Sequence, residues 1–125
     1  MVAAAWIAVV LIAVVTVFQL ALAFGAPAGA AAWGGNHPGV LPTRLRIASG
    51  FVAVFVYPVL ALFILATAGV IDARMDASPL WLWILAGLFL LGALANFASR
   101  SKVERWWGLV SLGIAVCCAV IAMGS

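Results

Sequence analysis

Residues 3–24 read AAAWIAVVLIAVVTVFQLALAF, with Thr16 and Gln19 as the only polar side chains. An α-helix rises 1.5 Å per residue, so about 20 apolar residues carry it across the hydrocarbon core of a bilayer. A helix that is apolar on every face cannot be covered by a small soluble domain. The run therefore predicts a membrane-spanning helix. No basic segment precedes it, and it is longer than a signal-peptide core. It reads as a retained span and not as a cleaved leader.

Three further stretches follow the same logic. Residues 47–71 are apolar but interrupted by Tyr57-Pro58, and a proline there removes a backbone donor and distorts the helix. Residues 80–97 follow Pro79, a residue suited to the first helical position. Residues 102–123 open on Ser101-Lys102-Val103-Glu104. That is the spacing of a capping box, and it sets Trp106 and Trp107 at the headgroup level.

Composition agrees. The chain has 125 residues, 69% hydrophobic and 7% charged, whereas a soluble domain is about a quarter charged. Its mean hydropathy is +1.34. The expected fold is all-α: a single integral membrane domain over residues 1–125, built as a four-helix transmembrane bundle. The polar surface that a soluble enzyme requires is missing. The net charge of +3 comes from basic residues at helix ends, where they encode topology, so no nucleic-acid partner is expected.

The connections differ in character. Residues 72–78 and 99–101 are short, which makes the helices they join antiparallel neighbours. The first connection, residues 25–42, reads GAPAGAAAWGGNHPGVLP and carries no charged side chain. A solvated loop is normally more polar. This Gly/Pro/Trp-containing loop is expected to lie at the membrane interface or to dip into the bundle, where protein satisfies its backbone. Arg44, Arg46, Arg100, Lys102 and Arg105 flank the first and third connections, against Arg74 alone in the second. The excess of positive charge predicts a cell-membrane protein with the first and third connections cytoplasmic and both termini outside.

Chemistry-bearing groups are few. Cys117 and Cys118 are adjacent within an apolar run and read as small buried residues. His37 is the single histidine, far in sequence from both cysteines. No catalytic set, metal site or cofactor motif is assembled, so a non-enzymatic role without cofactors is expected. No carboxylate falls within a helix core, which argues against a proton-coupled exporter. Two groups of residues remain as candidate sites. Trp33, Gly34, Gly35, Asn36 and His37, with Arg44 and Arg46, form a Gly-rich turn beside basic residues. Such a turn suits a lipid headgroup or a membrane partner. Gln19, Tyr57 and Asn96 are polar residues costly to bury, and Gln19 and Asn96 fall toward the same end of the bundle, where a polar pocket can form. Small residues at Gly87, Gly92, Gly108, Ser111, Gly113 and Ala115 allow close helix approach, within one chain or between copies.

The Gly25-Ala26-Pro27-x-Gly29 opening, the Trp33-Gly34-Gly35 turn, the Leu41-Pro42-x-Arg44-Leu45-Arg46 exit and the Asn96-x-x-Ser99-Arg100-Ser101-x-x-Glu104-Arg105 segment resemble small, uncharacterised bacterial four-helix membrane proteins. The resemblance implies a four-helix integral membrane fold and brings no activity. The leading functional expectation is a non-enzymatic membrane protein that binds a lipid or membrane partner through its first loop. The alternative is an oligomeric channel or transporter for an ion or small solute, with a second copy of the chain as partner.

Overall fold

The computed structural model describes residues 2–33, 36–71, 78–99 and 102–124. Four helices are long and apolar enough to cross a membrane: α1 (Val2–Ala23), α2 (Thr43–Thr67), α3 (Pro79–Phe97) and α4 (Lys102–Met123). The chain is an all-α, multi-pass membrane protein.

Helix ends follow local chemistry. α1 stops at Gly25, whose φ of 96° is the left-handed conformation that glycine adopts without strain. The Ala26 amide donates to the Ala21 carbonyl at 2.9 Å and the Gly25 amide to Leu22 at 3.1 Å, a Schellman closure. Gly69 closes α2 in the same way, with φ 77° and the Val70 amide on the Leu65 carbonyl at 2.9 Å. The Ser78 hydroxyl caps α3 by accepting from the Leu80 amide at 3.3 Å, with Pro79 at the first helical position. The Ser101 end of the expected capping box lies outside the described residues.

The second helix corrects its expected bounds of 47–71. It begins earlier, at Thr43 directly after Pro42, because its first turn is polar and the apolar run starts later. It ends earlier, at Thr67, because Gly69 turns the backbone. At its middle, Val52–Val56 form a π-helical segment in which the Tyr57 amide donates to the Val52 carbonyl. Pro58 offers no amide to the Val54 carbonyl, and the widened turn immediately upstream is where the ladder adjusts.

α3 packs most extensively on α4, α4 on α1, and α1 on α2. Glycines permit these approaches. A Cβ on Gly108 would come within 2.8 Å of the Phe97 ring, and one on Gly113 within 2.8 Å of Leu11 Cδ1. The small-residue positions at Gly92, Gly108 and Gly113 thus serve packing within the chain, while Gly87 faces open space. The Ser111 hydroxyl donates to the Phe89 carbonyl at 2.7 Å and ties α4 to α3.

The main core joins Ala5, Ala8 and Ile12 of α1 with Ile64 and Leu65 of α2, Leu82 and Ala86 of α3, and Ile114, Cys117, Cys118 and Ile121 of α4. These come from the start of α1, the end of α2, the start of α3 and the end of α4. The chain therefore reverses direction at each successive helix. At most 39% of the apolar window of any helix is buried within the chain, and large apolar side chains such as Val17, Leu91 and Ile47 point outward. Such a surface is stable only against lipid or other membrane-embedded protein.

Candidate functional site

At the opposite end of the bundle from that core, the first connection folds back onto the helices. Ala32 and Leu41 are buried against Leu22 of α1, with Phe18, Ala28 and Leu45 around them. The Gly29 amide donates to the Gly39 carbonyl at 2.8 Å, and the 3-10 turn Gly29–Ala31 touches α4. Gly29 has no alternative, since a Cβ there would collide with the carbonyl oxygens of His37 and Gly39.

Trp33 is held in an unusual state. Its φ is 52°, a left-handed conformation costly for a bulky side chain. Its indole Nε1 donates to the hydroxyl of Ser49 at 3.0 Å, and Ser49 is completely buried on α2. Arg46 is committed as well. Its Nε donates to the Ala23 carbonyl at 3.2 Å, one of the carbonyls left open at the end of α1. A cation there also opposes the negative end of the helix dipole.

The polar side chains of the spans then sort themselves. The hydroxyl of Thr16 donates to the Ile12 carbonyl at 2.7 Å and that of Thr67 to the Phe63 carbonyl at 2.8 Å. These bonds stay within each helix. Ser49 and Ser111 are engaged as described above. Gln19, Tyr57 and Asn96 are left, and all three line one cleft of about 350 Å³, within the range of small-molecule sites (~300–1,000 Å³). The other walls are Val15 and Phe18 of α1, Ala32 and Trp33 of the loop, Leu88, Phe89 and Gly92 of α3, and Glu104, Trp107, Ser111 and Ile114 of α4. α2 and α3 are consecutive in sequence yet do not form an extensive pair, and the cleft has Tyr57 of one and four residues of the other on its walls.

Glu104 is the residue that sequence reasoning missed. The capping-box spacing accounts for it as a backbone cap, with its partner Ser101 outside the described residues. In the fold Glu104 is 7% exposed and lines the cleft, and the hydroxyl of Ser99 donates to its Oε2 at 2.7 Å. A usable signal was present. Glu104 lies in the first turn of α4, at the end of the bundle that also holds Asn96. Two buried atoms of the lining residues have no partner in the chain: the acceptor Gln19 Oε1 and the donor Trp107 Nε1. The Trp107 ring packs on Phe18 with centroids 4.7 Å apart.

The sequence-predicted loop residues separate. Trp33 reaches the cleft. His37 is half-buried in the loop with its Nδ1 unpartnered and does not line the cleft; Asn36 and Arg44 are exposed. Gly34 and Gly35 lie outside the described residues. His37 is also remote from Cys117 and Cys118, which sit in the core at the other end. No group of three His, Cys, Asp or Glu side chains capable of holding a metal occurs among the described residues. Compared with protein-family models, curated proteins and solved structures, the chain has no match.

Proposed function

We propose that the protein is a non-enzymatic membrane protein that binds an amphipathic, lipid-like molecule in the cleft beneath its first connection. The observation that carries this reading is the composition of the walls. Val15, Leu88, Phe89 and Ile114 supply apolar surface, while Gln19, Asn96, Glu104 and Trp107 gather polar atoms toward one helix end. Buried polar atoms without partners, such as Gln19 Oε1 and Trp107 Nε1, are costly until something meets them. A ligand with a polar head and an apolar tail answers both walls. The tail leaves toward lipid between α2 and α3.

Trp33 and the folded-back loop form the cover, and strain held at a ligand-facing residue fits that role. The basic residues at this end favour the cytoplasmic side for the cleft. Arg44 is exposed and free to meet a lipid phosphate, while Arg46 serves the end of α1.

Photocross-linking in bilayers tests the reading. A phospholipid with a photoreactive group along its acyl chain should label Val15 or Leu88 in a saturable manner that unlabelled lipid competes away. It should also label outward residues such as Val17 and Leu91 without saturation. Labelling confined to the outward residues would remove the cleft as a binding site.

A second reading is favoured by one observation, the buried Glu104 beside the polar cleft. A carboxylate in such a place also suits an oligomeric transporter. Solute flux into liposomes that depends on Glu104, by a stable homo-oligomer, would decide for it.

A further inference from the structure

Resting on the cleft as a binding site, we propose that the head it selects is a protonated primary amine on an alkyl chain. Three features of the walls converge on this. The single charged side chain lining the cleft among the described residues is Glu104, an acid. Gln19 adds a buried acceptor, Oε1, that receives no donor from the chain. Four aromatic side chains also line the cleft: Phe18, Tyr57, Phe89 and Trp107.

An ammonium group is three donors with no acceptor. It can give one hydrogen to the Glu104 carboxylate and one to Gln19 Oε1, and a charge-assisted bond to a carboxylate is about twice as strong as a neutral one. Aromatic faces attract the same cation through their quadrupoles, most strongly when it is desolvated. The other heads fit less well. A carboxylate or phosphate as the group nearest Glu104 would meet another acid that offers it no donor. An alcohol supplies one donor and no charge. A quaternary ammonium supplies charge and no donor, so Gln19 Oε1 stays unmatched. Trp107 Nε1 is a donor that an ammonium cannot meet, and an oxygen attached close to the amine is its matching acceptor. Two sources share this chemistry: the ethanolamine end of a lipid, and a free long-chain amine.

The experiment is calorimetric titration of the full-length chain in phosphatidylcholine nanodiscs, with protein-free discs subtracted. The probes share a twelve-carbon chain: dodecylamine, dodecyltrimethylammonium, dodecanol, dodecanoate and dodecanoyl lysophosphatidylethanolamine. Dodecylamine is charged at pH 7, because alkylamines titrate near the lysine value of about 10.4. Saturable binding of dodecylamine about tenfold tighter than dodecanol, some 1.4 kcal/mol, is expected, with the quaternary ammonium weaker than the primary amine. Glu104→Gln keeps an acceptor for Ser99 and should bring dodecylamine to the level of dodecanol. Gln19→Met leaves Glu104 and its bond to Ser99 in place and should weaken the amine severalfold while sparing dodecanol. Tighter binding of the lysolipid than of dodecylamine would assign the natural source to a lipid headgroup, and the reverse to a free amine. Dodecanol or dodecanoate binding as tightly as dodecylamine would overturn the amine while leaving the cleft a binding site. Failure of every probe to bind saturably would overturn both.

Discussion

Gly29, Trp33 and Arg46 together hold the first connection against the bundle, each by a different kind of force. Gly29 acts by the absence of a side chain. In Gly29→Ala the new Cβ would meet the carbonyls of His37 and Gly39, which are backbone atoms that cannot swing aside. The expected cost is about 2 kcal/mol, visible as a lowered midpoint of thermal unfolding in detergent. Trp33 acts through its bond to buried Ser49. A double-mutant cycle with Trp33→Phe and Ser49→Ala should return a coupling of about 1 kcal/mol, and a coupling near zero would show the bond to be incidental. Arg46 acts through the Ala23 carbonyl. Arg46→Ala should therefore lower stability by about 1 kcal/mol without changing ligand retention. Arg44→Ala should do the reverse, and measuring both quantities on both variants separates a cap from a ligand contact. The sequence marks Trp33, Arg44 and Arg46 as a group because they are close along the chain. It does not separate them, because the turn back onto α1 that brings Arg46 to Ala23 is a tertiary event.

At the scale of elements, the existence of the spans was legible and their ends were less so. Apolar length, with Pro79 and the Ser101–Glu104 pattern as start signals, identifies α1, α3 and α4 to within a residue of their observed bounds, since lipid demands a minimum number of apolar residues. The start of α2 is set by Pro42 and its end by Gly69, and neither falls where hydropathy changes. Pro58 was legible as a disturbance, but the π-helical form of the disturbance at Val52–Val56 depends on the whole upstream ladder. A π-helical turn changes the register of the residues before it relative to those after it, and Ser49, the partner of Trp33, lies in the part before it. In Pro58→Ala the restored amide can reach the Val54 carbonyl, and the segment should relax toward ordinary α-helix. Slower amide exchange across residues 52–58 together with loss of the Trp33–Ser49 bond is the expected result. Unchanged exchange would mean that the π segment is set by packing against α1 and not by the proline.

For the whole molecule, alternation of helix direction does most of the work. It brings the end of α1, the end of α3 and the start of α4 to one place, which is why Gln19 and Asn96 were legible as neighbours. Glu104 was not, because a glutamate three residues after a serine at a helix start has a sufficient local explanation. Only the packing of α4 on α3 reveals that its carboxylate turns inward to Ser99 and the cleft. Packing within the chain also takes up the small positions at Gly92 and Gly108, between α3 and α4, and at Gly113, against Leu11 of α1, and leaves Gly87 open. The binding reading stands or falls with the cleft, and native mass spectrometry of the protein released gently from its own membrane addresses it most directly. A chain that retains one amphipathic molecule, and loses it in the Gln19→Leu, Asn96→Leu double variant while remaining folded, is the predicted result. A folded chain that carries nothing, or one whose adducts survive the double variant unchanged, would contradict it.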